Sequence, residues 1–138
     1  MCGIFGGYKV SQKEAEEGIK KIYRGEDGIT IAKLDNDVIF AARRHLIKNS
    51  GNDKKNTSDQ PYYSADKKIA LIFNGEFYNF NKYKKKLEEE KINFSSVGDT
   101  EVFLRLYEKE GTNFLYDQEI DSLFSIAIFD GTKNTITI

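Results

Sequence analysis

Ile69-Ala70-Leu71-Ile72-Phe73-Asn74-Gly75-Glu76 is the stretch whose reading decides how this chain folds. Lys68 to Phe73 reads as a strand. A strand with one face in water alternates apolar and polar residues, whereas an unbroken apolar run is expected where both faces are covered. The run is expected to end abruptly at Asn74-Gly75-Glu76, with a helix rather than a return strand following. A second run of the same kind, Leu123 to Asp130, is followed by a turn at Asp130-Gly131-Thr132 and a return partner beginning at Ile136 to Ile138. Gly3 to Lys9 reads as a short buried strand whose glycines signal a close backbone approach. Ile29 to Lys33 and Val38 to Arg43 form a hairpin around Asp35-Asn36-Asp37, and Ile92 to Ser95 adds a short strand.

Helices lie between these strands. Ser11-x-x-Glu14 fits a capping box, followed by Ala15, Ile19 and Ile22 at helical spacing; Gly18 is an interior cost and Gly25 ends the element. Asn79 or Asn81 caps a helix running through Tyr83 and Leu87 to about Lys91. Its Lys84-Lys85-Lys86 and Glu88-Glu89-Glu90 runs read as a solvated face, since opposite charges three and four apart pair along a helix. Asp99 caps a third helix, Thr100 to Lys109, whose Val102, Phe103, Leu106 and Tyr107 share one face. Gly111 stops it, and Phe114 to Tyr116 adds a further turn. Lys48 to Asp59 is a polar surface loop that ends at Gln60-Pro61-Tyr62-Tyr63. Irregular alternation with hairpins favours antiparallel sheets with helices layered on them, an α+β fold, over a doubly wound parallel sheet.

The bulk numbers narrow the function classes. A chain of 138 residues is expected to be a single domain, 1–138, with a sizeable core. Net charge is -1, from 21 basic and 22 acidic residues, which gives no pull toward nucleic acid or membrane. One cysteine allows no internal disulfide and no cysteine-rich zinc site. No run approaches the ~18 apolar residues of a spanning helix. The expectation is a soluble cytoplasmic protein.

That single cysteine is Cys2, directly behind Met1. A small side chain at position two permits removal of Met1, which leaves one residue carrying both a thiol and an α-amine. In model compounds a thiol titrates near ~8.5 and an α-amine near ~7.7–8.0. The amine can therefore take a thiol proton at neutral pH and activate it as a nucleophile, the cysteine analogue of an N-terminal threonine.

Several separate stretches, in order, resemble the class II glutamine amidotransferases, and most closely the glutaminase domain of the asparagine synthetase type. Met1-Cys2-Gly3-Ile4-Phe5-Gly6 is similar to that family's start. Arg24-Gly25-Glu26-Asp27-Gly28 resembles its Arg-Gly-Pro-Asp-Gly, with Glu26 in place of the proline, and Gln60-Pro61 sits where it has Gln-Pro. Phe73-Asn74-Gly75-Glu76-Phe77-Tyr78-Asn79, Gly98-Asp99-Thr100-Glu101-Val102 and Leu123 to Asp130 match three further motifs.

The resemblance implies an N-terminal-nucleophile hydrolase fold, a four-layer αββα sandwich of two antiparallel sheets flanked by helices. It implies hydrolysis of L-glutamine to glutamate and ammonia through a thioester on Cys2. Asn74 and the Gly75 N–H would be the oxyanion donors, the glycine because the chain must turn sharply there. Glu76 and Asp99 would hold the substrate ammonium. An arginine would grip its carboxylate. Aligning Ile47 with the family's isoleucine makes that residue Arg44; aligning Leu46 instead puts His45 there, a poor carboxylate clamp when neutral. No metal or cofactor is expected for the glutaminase step, with ATP and Mg²⁺ confined to a partner synthetase that takes the ammonia. The family's domain normally continues past the equivalent of Ile138, and the synthetase domain is not in this sequence. An open sheet edge there would be covered by another chain or by a second copy, a homo-oligomer. The rival expectation is a non-catalytic glutaminase-like module that binds or regulates.

Overall fold

The computed structural model describes residues 2–25, 28–44 and 60–138. His45, Ile47 and the polar loop from Lys48 to Asp59 lie outside the described residues, as do Glu26 and Asp27. The glycine-flanked N-terminal run forms β1 (Gly3–Tyr8). Ser11 then opens α1 (Gln12–Lys20) with the expected capping box. Its hydroxyl accepts from Glu14 N–H at 3.2 Å, and its own N–H donates to Glu14 Oε2 at 2.8 Å. Ala15 and Ile19 are the buried face of α1. A Cβ on Gly18 would overlap the ring of Phe5, so the residue that weakens the helix also lets it lie down on β1.

Strands β2 (Gly28–Lys33) and β3 (Val38–Arg44) form the predicted hairpin. Asn36 and Asp37 sit at φ 57° and 59°, a region that short polar side chains tolerate. Next come β4 (Tyr62–Tyr63), β5 (Ile69–Phe77), α2 (Phe80–Glu89) and α3 (Asp99–Glu110). A 3-10 helix (Gly111–Tyr116), β6 (Ser122–Asp130) and β7 (Thr135–Thr137) complete the described elements.

The strands form two antiparallel sheets, in the orders β1-β3-β2 and β4-β5-β6-β7. Side chains alternate between the faces of a strand, which fixes the layers. Val38 and Phe40 of one sheet pack with Ile72, Ala127 and Phe129 of the other, and Ile4 joins them between the sheets. Leu71, Phe73, Phe77, Ile126 and Ile128 face the opposite way, into a core with Val102, Phe103, Leu106 and Tyr107. Helix α1 lies on the outer face of the first sheet, and α3 on that of the second. The result is the expected α+β sandwich of four layers, and both faces of the Ile69 run are covered. Phe103 is wholly buried and anchors the second core, with its ring 4.5 Å from Phe77, 5.1 Å from Phe73 and 5.7 Å from Phe114. No helix among the described residues is long and apolar enough to cross a membrane.

Three expectations are corrected. Strand β5 does not stop at Asn74 but runs on to Phe77, because β6 pairs with it along its whole length, from Ile69↔Asp130 to Phe77↔Ser122. Ile92 to Ser95 is not a strand: the Ser95 and Ser96 N–H groups donate to the buried carboxylate of Glu101, at 3.0 and 2.6 Å, instead of to a neighbouring strand. Asp99 is the first residue of α3 rather than its cap, which is Gly98. Asn79 is the N-cap residue of α2, as expected, though its side chain bridges Glu119 C=O and Asp121 N–H and makes no capping hydrogen bond.

Candidate active site

Four of the sequence-predicted site residues converge on one end of the sandwich. Ile4 packs between the sheets, and Cys2, two residues earlier and just before β1, reaches across them to Asn74. By the alternation of side chains along a strand, Ile72 places Asn74 on the inner face of β5, and Phe40 places Arg44 on the inner face of β3. The register Gly3↔Arg43 sets the start of β1 beside the end of β3, so Cys2, just before β1, lies next to the strand end that carries Arg44.

The two sheets meet at Cys2 and Asn74. The Cys2 backbone nitrogen donates to Asn74 Oδ1 at 3.1 Å across the sandwich. An N–H donor requires the amide oxygen at that position, which leaves the Asn74 Nδ2 group as a donor. Cys2 is half-buried.

Gly75 follows, and its exposure comes from the ladder. Successive strand residues aim their N–H and C=O groups at opposite edges. On the β6 side, Lys68 C=O accepts from Gly131 N–H at 2.8 Å and Tyr78 N–H donates to Asp121 C=O at 2.9 Å. Even-numbered residues of β5 therefore face β6. Odd-numbered ones face the other edge, where Ile69 C=O accepts from Ser64 N–H at 2.9 Å. Further along that edge, Gln60 holds Phe73 N–H and C=O, both at 2.8 Å, and Phe77 N–H donates to Asp99 Oδ2 at 3.2 Å. Gly75 lies between Phe73 and Phe77. Strand β4 pairs only as far as Leu71, so among the described residues no strand covers the Gly75 N–H. The expected sharp turn is replaced by this open edge. Glycine is needed for a different reason: a Cβ at 75 would overlap Leu123 C=O and come within 2.6 Å of Phe124 Cα.

Of the two adjacent arginines, Arg43 is committed elsewhere. It faces outward and donates to Gly25 C=O at 2.9 Å and Ile22 C=O at 2.5 Å, tying down the segment after α1. Arg44 faces inward, with its Nη2 passing over Gly28. His45 and Ile47 are outside the described residues, so the choice of carboxylate ligand between Arg44 and His45 rests on the sequence.

Asp99 comes from the other core. Burial pushes its carboxyl above the usual range, and the Phe77 N–H and Thr100 pull the other way. Glu76 precedes Phe77 on β5, shares the inner face with Asn74, and is exposed. Glu101, one turn into α3 and wholly buried, was not expected to matter. Burial raises its carboxyl, but hydrogen bonds from Ser95 and Ser96 outweigh that and hold it below the ordinary range. Arg105 pairs with it at 3.0 Å. Glu101 thus shapes the 95–98 segment that delivers Asp99 to the end of β5. Gln60 was legible only as part of a Gln-Pro pair; its pairing with Phe73 was not.

The chain was compared with known proteins. The family described as "Glutamine amidotransferase domain" matches residues 1–138. An asparagine synthetase [glutamine-hydrolyzing] 2 from Bacillus subtilis (strain 168) is 33% identical over 145 residues, covering 99% of this chain and 18% of the relative. An asparagine synthetase [glutamine-hydrolyzing] from Triphysaria versicolor is 37% identical over 142 residues, covering 98% of this chain and 22% of the relative. A glutamine--fructose-6-phosphate aminotransferase [isomerizing] from Fusobacterium nucleatum is 33% identical over 149 residues, covering 88% of this chain and 24% of the relative. The chain therefore spans about a quarter or less of the length of these relatives.

Proposed function

The chain belongs to the glutamine amidotransferase domain family, and from that premise we propose that it hydrolyses L-glutamine to glutamate and ammonia through a thioester on Cys2. The observation that carries the reading is the 3.1 Å contact from Cys2 nitrogen to Asn74 Oδ1. With Met1 removed, that nitrogen becomes the α-amine, held beside the Asn-Gly pair by an oxygen that accepts from it.

The reaction uses groups of the chain itself. The α-amine takes the Cys2 thiol proton, and the sulfur attacks the side-chain amide carbon of glutamine. The Gly75 N–H and Asn74 Nδ2 receive the negative oxygen of the tetrahedral intermediate, a pair of donors each worth ~10²–10³ in rate in comparable sites. The amine returns its proton to the departing nitrogen, releasing ammonia and leaving the thioester. Water then attacks the thioester carbon, the amine takes its proton, and the sulfur leaves to give glutamate. Arg44 offers two parallel donors to the α-carboxylate, Ile47 is assigned to the same substrate by the resemblance alone, and Glu76 and Asp99 hold the α-ammonium.

In this proposal the glutaminase step needs no metal or cofactor. ATP and Mg²⁺ belong to a synthetase, domain or subunit, that accepts the ammonia; asparagine synthesis is the default. The proposed setting is cytoplasmic, where a thiol nucleophile stays reduced. The test is glutamate release by protein whose intact mass shows Met1 removed. Turnover that vanishes in Cys2→Ala supports the reading, and normal turnover in that variant overturns it. Glutamine binding without turnover in the Met1-free protein would favour a binding module instead.

A further inference from the structure

We propose that Gln60 is a positioning residue for the oxyanion donors, a role that rests on the glutaminase reading above. Gln60 is 5% exposed and points at the backbone of β5. Its Nε2 donates to Phe73 C=O and its Oε1 accepts from Phe73 N–H, both at 2.8 Å. A side-chain amide carries the same donor and acceptor as a peptide unit, so Gln60 replaces a strand residue opposite Phe73.

The substitution of a side chain for backbone has a consequence at the next step. Strand β4 pairs Tyr62 with Leu71. Had the ladder continued through the main chain, the backbone of residue 60 would lie opposite Phe73 and that of residue 58 opposite Gly75, occupying its N–H. Pairing through the Gln60 amide satisfies Phe73 and, among the described residues, is where the ladder ends. Three successive N–H groups on this edge then have three fates. That of Phe73 is held by Gln60, that of Gly75 faces the site, and that of Phe77 is held by Asp99 at 3.2 Å. Asn74 lies between the pinned residue and the open one, and its Oδ1 reaches Cys2 nitrogen. Two hydrogen bonds to Phe73 therefore set where both oxyanion donors stand.

The prediction separates positioning from stability. In Met1-free protein, Gln60→Met keeps the length of the side chain and removes both bonds. We expect kcat to fall by about 10- to 100-fold, the scale of a small misplacement of catalytic groups, with KM for glutamine within about 2-fold. Affinity for L-glutamate γ-semialdehyde, whose adduct with Cys2 carries the tetrahedral oxygen, should fall with kcat. Affinity for L-glutamate, which has no such oxygen, should not. Gln60→Glu gives a second readout. Its carboxylate repels Phe73 C=O, whereas the protonated carboxyl can donate to it, so kcat relative to the parent should rise as pH falls. Should Gln60→Met fail to fold, that ratio decides, and a ratio constant with pH overturns the proposal. An unchanged kcat in folded Gln60→Met overturns it too, as does an equal loss of glutamate and aldehyde affinity. A parent protein without turnover overturns the glutaminase reading and this proposal with it; a working parent beside an unimpaired Gln60→Met overturns this proposal alone.

Discussion

Asp99, proposed above to hold the substrate ammonium, carries a cost in stability. Its carboxyl is half-buried and pushed up by burial. An acid whose folded value lies above its unfolded one stabilises the fold fully only below the unfolded value near ~3.8, and that contribution is lost as pH rises through the folded value. The ionised form, which the proposed reaction uses to hold an ammonium, therefore strains the fold. Asp99→Asn keeps an oxygen for the Phe77 N–H. Its melting temperature at pH 7 is expected to equal or exceed the parent's. KM for glutamine is expected to rise by about 10- to 100-fold, as for loss of a charged hydrogen-bond partner, with kcat little changed. In the parent, KM should climb as pH falls through the raised Asp99 value. Steady-state kinetics across pH with parallel melts checks both. The sequence could name Asp99, because it stands in a motif. It could not show that the carboxylate reaches a β5 backbone N–H, since that contact joins elements 22 residues apart.

At the scale of elements, β5 and the turn after β6 make separate demands. A Cβ at Gly75 would overlap Leu123 C=O and Phe124, so Gly75→Ala forces this part of β6 away from β5. The expected loss is about 1–3 kcal/mol in chemical unfolding, as for other overpacked sites, together with loss of turnover. Asp130 ends β6 with its carboxylate buried. Burial raises it, yet donors on Thr132, Lys133 and Tyr107 bring it down to about 2. Its folded value is the lower one, so its contribution is present above the unfolded value near 3.8 and is lost as pH falls toward about 2. That difference corresponds to roughly 2 kcal/mol. Asp130→Asn should lower stability at pH 7, with the gap to the parent closing as pH approaches 2; denaturant melts at several pH values measure it. The strong elements were legible because their signals are local. The capping box at Ser11 and the apolar runs at Ile69 and Leu123 each lie within a few residues. Tyr62–Tyr63 was missed because so short a strand has no periodicity. Ile92 to Ser95 was misread because a buried carboxylate took the N–H groups that a strand would have used.

For the whole molecule, two sheets of different depth carry the layout. The α+β sandwich followed from the patterning of apolar residues and hairpins, and the order of motifs along the chain marked which residues would meet. What patterning could not give was the edge of β5, where a side chain closes the ladder and a helix start guards the next N–H. Such a site depends on where pairing stops, a property of the assembled sheet. The packing that holds this edge in place is concentrated in Phe103, so Phe103→Ala is expected to cost about 3–5 kcal/mol of stability and to loosen Phe73 and Phe77. Its effect on activity should track the fraction folded in denaturant titrations.

The central claim is that Cys2, freed of Met1, is the nucleophile that meets glutamine at this edge. A glutamine analogue with a diazoketone in place of the side-chain amide tests it most directly, by intact and fragment mass alongside residual glutaminase activity. The expected result is one adduct per chain, on Cys2, forming in step with inactivation and slowed by glutamine. Inactivation with Cys2 unmodified, or a fully modified Cys2 with undiminished turnover, would contradict the account.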